Sequence, residues 1–88
     1  MDFEWDANKA AAYLRKHRVS FEDAARVSLD QNRIESFDGR DAYGKDRWKT
    51  AGLVEPALLA AVYTVRGKDS EVIRLISARK ADAHERAQ

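Results

Sequence analysis

Residues 57–80, ALLAAVYTVRGKDSEVIRLISARK, constrain the fold more than any other stretch of the chain. Residues 58–65 are nearly all apolar and end in Val62, Tyr63, Thr64 and Val65, side chains that suit a pleated strand. Residues 72–77 are again rich in β-branched and aliphatic side chains. Between them lies RGKDS, a polar loop with one glycine and the chemistry of a hairpin connection. Two antiparallel strands follow from this pattern. Neither alternates cleanly between polar and apolar positions, so both faces of the pair are expected to be covered or partly covered. The second strand runs directly into Arg79 and Lys80. Cationic groups thus sit at the end of the most buried part of the chain, on an element rigid enough to hold them in place.

The chain has 88 residues, the length of one domain, residues 1–88. A domain of this size buries a modest core, and a partner chain or a homodimer would add to it. With no cysteine, disulfides, thiol nucleophiles and thiolate metal sites are excluded. His17 and His84 are far apart, and no metal-ligand spacing or phosphate-cradling glycine loop is present, so no cofactor is expected. No apolar run reaches the ~18 residues of a membrane span. The first residues, MDFEWD, are acidic and do not read as a signal peptide, so a cytoplasmic protein with no membrane partner is expected. The net charge of +1 conceals an asymmetry. Residues 1–46 carry 8 Lys and Arg against 10 Asp and Glu, and residues 47–88 carry 8 against 5. The basic half contains the hairpin, which suits a polyanion such as RNA.

Along the chain, residues 2–5 alternate like a half-buried strand, with Phe3 and Trp5 on one face. Asp6 is placed to cap a helix, and Ala7, Ala10, Ala11 and Leu14 form its apolar stripe, with Tyr13 beside it. Arg15, Lys16 and His17 fall at its C-terminal end, where cations suit the helix dipole. Arg18 occupies the left-handed position usually given to glycine. Ser20 begins a second helix, with Asp23 three residues on in a short capping box, ending near Leu29 and Asp30. Residues 33–38 give a weak strand signal, residues 39–45 a polar loop suited to lie over a site, and residues 46–54 a further strand. Glu55, Pro56 and Ala57 form a turn before the hairpin, and residues 81–88 read as a short helix start or a frayed tail. The order predicts an α+β fold, in which two N-terminal helices pack on an antiparallel sheet of four to five strands. One sheet face would lie under the helices and the other would be open.

The acidic trio Asp2, Glu4 and Asp6 fits a strand and a helix cap better than a cation site. Ser77 has no histidine near it in sequence and does not read as a nucleophile. The basic set is more informative, because Arg47, Lys49, Arg66, Arg74, Arg79 and Lys80 all fall on predicted strands or strand ends. Arg74 sits between Ile73 and Leu75, inside the most apolar strand. It reads either as half of a salt bridge or as a phosphate clamp, whose guanidinium offers paired donors to two oxygens. Strict alternation places Arg74 and Lys80 on one face and Arg79 on the other. All three would meet only if the strand bulges or ends near Ala78.

Several segments together resemble the BrnT family of toxins: FEWD at 3–6, KA at 9–10, LRKH at 14–17, VSFEDA at 19–24, VYT at 62–64 and ISARKA at 76–81. They span nearly the whole chain in order. The resemblance implies a compact RelE-like fold and a ribonuclease that arrests translation. It also implies an antitoxin partner with a ribbon-helix-helix domain, through which alone operator DNA would be bound. Two departures accompany it: Arg18 stands where the family usually has glycine, and residues 81–86 are less basic than expected, which would weaken RNA affinity.

The expected function is therefore a metal-independent endoribonuclease toxin. Arg74 and Arg79, with Arg47 beside them, are the expected catalytic groups, stabilising the charged phosphorane. Lys80, Lys49, Arg66 and His17 are the expected RNA-binding groups. His17 and His84 are candidates for the acid or base by residue type, since an imidazole suits proton transfer, and by the resemblance Glu35 and Glu71 are also open to it. The alternative is a non-catalytic basic module that docks nucleic acid or an acidic protein partner.

Overall fold

The computed structural model describes residues 2–40 and 44–82. Its elements are β1 (Asp2–Glu4), α1 (Ala7–His17), α2 (Phe21–Ala25) continued by a 3-10 segment (Arg26–Leu29), β2 (Ile34–Arg40), β3 (Asp46–Val54), β4 (Ala57–Arg66) and β5 (Val72–Lys80). The five strands form one sheet in the order β1-β5-β4-β3-β2.

Local chemistry sets the helix ends. Asp6 Oδ1 accepts from the amides of Asn8 at 2.8 Å and Lys9 at 3.1 Å. Those two amides, Lys9 first, hold the Asp6 carboxyl below its usual range. Arg18 adopts φ 60° and ψ 29°, the left-handed conformation expected of it, and its amide bonds Leu14 O at 2.9 Å. Ser20 Oγ accepts from the Asp23 amide at 3.0 Å and opens α2. The α-helix then tightens into the 3-10 segment, so the second helix keeps its expected end but not its expected geometry.

The core lies between the helices and one sheet face. Phe21, Ala24 and Val27 from the helical layer meet Val54, Leu59, Ala61, Leu75 and Ala78 from the sheet, with Val19 joining from the turn between the helices. Trp5 packs edge-on against Phe21 at 6.0 Å and Tyr13 lies 5.6 Å from the same ring, so Phe21 anchors both layers. The 3-10 segment approaches β3 closely at Gly52. A Cβ there would lie 3.0 Å from Val27 Cγ1 and 3.0 Å from Asp30 Oδ2. Asp30 fixes the approach: its Oδ2 accepts from the Leu53 amide at 2.7 Å and its Oδ1 from the Asn32 amide at 2.9 Å.

Two expectations about the architecture need correction. The sheet is mixed, because β1 pairs parallel to β5 while every other pair is antiparallel. The helices are also preceded by β1, which forms a sheet edge, so they are not a purely N-terminal unit. The reason is topological: β1 leads into the helical layer, and its edge is met by the last strand, 70 residues later, whose direction makes the pair parallel. The expected hairpin is β4–β5. The proposed C-terminal helix start and part of the proposed loop over a site lie outside the described residues.

Candidate functional site

The decisive local feature is a bulge in β5. Val62 pairs with Ser77, but the next residue of β4, Tyr63, pairs with Leu75. Ile76 is therefore the extra residue, and the side-chain alternation of β5 shifts at that point. As a result Leu75 and Ala78 both enter the core, at 3% and 0% exposure. Arg74 and Arg79, the neighbours of those core residues, then both belong to the opposite, helix-free face. The register across β4 carries Arg66 and Thr64 to the same face, and that across β3 carries Lys49 and Arg47 there. Five of the seven expected site residues thus share one open face: Arg47, Lys49, Arg66, Arg74 and Arg79.

Carboxylates hold three of these guanidiniums in place. Glu4 Oε2 accepts from Arg74 Nη1 at 2.6 Å and lies 3.3 Å from Arg66 Nη1. Parallel pairing sets Glu4 directly beside Arg74. Arg47 Nη2 is 3.6 Å from Asp38 Oδ2, while its buried Nε has no hydrogen-bond partner. Arg79 Nη1 donates to Lys80 O at 3.1 Å. Each of these contacts engages one nitrogen of a group with five donors and helps to fix its orientation. Thr64 is buried beneath this cluster.

A sequence model of the family described as "Ribonuclease toxin, BrnT, of type II toxin-antitoxin system" matches residues 5–85. The chain belongs to the BrnT family. The crystal structure of the Brucella abortus ribonuclease toxin BrnT superimposes with a TM-score of 0.69 at 25% identity, covering 93% of this chain and 97% of that one. A search of curated proteins found no match. Membership carries with it an antitoxin partner and a ribonuclease description. No helix among the described residues is long and apolar enough to cross a membrane.

The other expected site residues of this BrnT-family chain lie elsewhere. Lys80 falls on the helix-covered side, where it lines a cavity of ≈250 Å3 with Arg18, Asp23 and Glu55. The bulge that unites Arg74 with Arg79 is what separates Lys80 from them. His17 is on α1, stacked on Tyr13 with ring centroids 5.6 Å apart, and so belongs to the helical layer. His84 lies outside the described residues. Glu71 accepts from the Asp69 amide at 2.8 Å, which holds its carboxyl low and closes the β4–β5 turn. Glu35 accepts from the Tyr63 hydroxyl at 2.8 Å on the helix side of the sheet. Burial, then the bond to Glu35, pushes the Tyr63 pKa up to about 12. The sequence reading missed Glu4 as the residue joining Arg66 and Arg74. Its alternation with Phe3 and Trp5 announced which face it would take, but nothing local announced β5 as the neighbour.

Proposed function

We propose that this chain is a metal-independent endoribonuclease toxin that binds RNA on the open face of its sheet. The observation that carries the reading is the bulge at Ile76, which joins Arg74 and Arg79 to Arg47, Lys49 and Arg66 on one surface. A scissile phosphate seated there meets guanidinium donors on the side where charge builds as the ribose 2′-oxygen attacks phosphorus. The P–O5′ bond then breaks, leaving a 2′,3′-cyclic phosphate, and the departing 5′-oxygen takes a proton from water to become the 5′-hydroxyl. Glu4, held between Arg66 and Arg74, is a carboxylate of this face. In this mechanism it receives the 2′-hydroxyl proton and, with the two arginines, keeps the site in register. No step requires a metal ion.

The antitoxin, in the same proposal, carries a ribbon-helix-helix domain, covers the basic face to silence it, and alone contacts operator DNA. The test is RNA cleavage by the purified chain with and without chelator, beside Arg74→Ala and Arg79→Ala. Cleavage that survives chelation and falls by at least about 100-fold in either variant, with unchanged circular dichroism, supports the reading. Parental cleavage rates in both variants sink the site assignment. The carboxylate contacts to Arg47, Arg66 and Arg74 favour a second reading, a binding module without catalysis. RNA retention with no cleavage by the parent would select it.

A further inference from the structure

The helical layer does not cover its whole sheet face. Where α2 and the 3-10 segment end, a cavity of ≈300 Å3 opens over β2–β5, at the lower end of the range for small-molecule pockets. Its walls include Tyr63, Val65 and Ile73, an aromatic ring beside aliphatic side chains. Polar groups converge on the same space. Glu35 and Arg33 line it as a pair 3.7 Å apart, and Tyr63 donates to Glu35. Thr50 lines it too, at 7% exposure, and its buried Oγ1 has no hydrogen-bond partner. A buried hydroxyl without a partner is costly in a finished core and calls for an explanation. Farther along the same side of the same strands, Phe37 packs edge-on against Trp48 at 5.5 Å, and Phe37 remains 56% exposed.

We infer that this cavity is a subsite for one unpaired RNA base that carries an exocyclic amine. The inference rests on the ribonuclease reading above and adds base selectivity to it. Stacking on an aromatic ring is how single-stranded bases are held, and any base can use it. Selection then comes from the edge. Glu35 is a carboxylate acceptor for the amine of guanine, adenine or cytosine, and Arg33 is a donor for an adjacent ring nitrogen or carbonyl. Thr50 offers the hydroxyl left without a partner. Uracil has a carbonyl where cytosine has its amine and offers the Glu35 carboxylate only its N3–H, flanked by two repelling oxygens, so it binds more weakly. β2 is one of the two sheet edges, so an RNA strand lying on the arginine face can pass round β2 to the side that holds the cavity.

The experiment is a titration of the full-length Arg74→Ala chain with guanosine, adenosine, cytidine and uridine, followed by amide NMR, with RNA cleavage by the parent chain run in parallel. The inference expects saturable shifts around Thr50, Tyr63 and Glu35 for the three amine-bearing nucleosides, and binding of uridine at least about fivefold weaker. Thr50→Val, which keeps the shape and removes the hydroxyl, should weaken that binding by about three- to tenfold. Parental cleavage with no nucleoside shifts at the cavity overturns the inference and leaves the ribonuclease reading intact. Nucleoside binding at the cavity with no cleavage of any RNA supports the pocket and sinks the ribonuclease reading. Equal binding of all four nucleosides also overturns it.

Discussion

The two faces of the sheet solve opposite problems with the same strands. The helix-side face is built from Leu59, Ala61, Leu75 and Ala78, closed by Phe21 and Val27, and its cohesion comes from removing apolar surface from water. The open face carries Arg47, Lys49, Arg66, Arg74 and Arg79, each anchored to β3, β4 or β5 through a backbone whose other side is core. The comparison teaches that a rigid cationic surface needs a buried reverse side. Arg74 is held by Leu75 below it as much as by Glu4 beside it. The ion pairs on the open face are partly exposed, so they add little stability of their own. What they add is orientation.

That division of labour can be broken or sharpened by substitution. The largest effect is expected on the covered face. Phe21→Ala removes the ring on which Trp5 and Tyr13 converge and should cost about 3–5 kcal/mol, read as a lowered urea midpoint. If cleavage per folded molecule also collapses, the two faces are not independent. Next is Glu4→Ala, which releases both Arg66 and Arg74. Cleavage should fall by about 100-fold with less than about 1 kcal/mol of stability lost. Glu4→Gln sharpens the assignment, because it preserves a hydrogen-bond acceptor but cannot take a proton. An equal loss of kcat in both variants marks a base, and recovery in Gln marks a positioning role only.

Smaller effects are read from stability. Arg18→Gly relieves the left-handed strain at φ 60° and should stabilise the chain by about 1 kcal/mol with cleavage unchanged. The smallest is a pH effect. Tyr63 has a folded pKa near 12 against an ordinary value of 10.0, so the unfolded chain loses that proton first as pH rises. Its contribution to stability is complete below pH 10 and declines between pH 10 and about 12. Tyr63→Phe should flatten that decline in denaturation midpoints measured across the same range.

Capping was written locally in the sequence. Asp6, Ser20 and the left-handed Arg18 stand where short-range hydrogen bonding puts them, because a helix end needs partners within a few residues. The β4–β5 hairpin was legible for the same reason, a polar turn between two apolar runs. The site was legible only as a set of residue types. Simple alternation grouped Arg74 with Lys80 and left Arg79 opposite, whereas the folded strand groups Arg74 with Arg79 and turns Lys80, still exposed, to the helix side. Glu4 was legible as a strand residue and not as the partner of two arginines.

By itself, then, the sequence determined the elements, their caps, the hairpin and the cationic character of its strands, since each follows from local contacts or, for the hairpin, from pairing across one short turn. Tertiary structure alone decided that β1 lies parallel to β5, that Ile76 bulges, and that Glu4 meets Arg66 and Arg74. Those outcomes depend on pairing between residues up to 70 apart, and a single extra residue in a strand reverses every side chain beyond it.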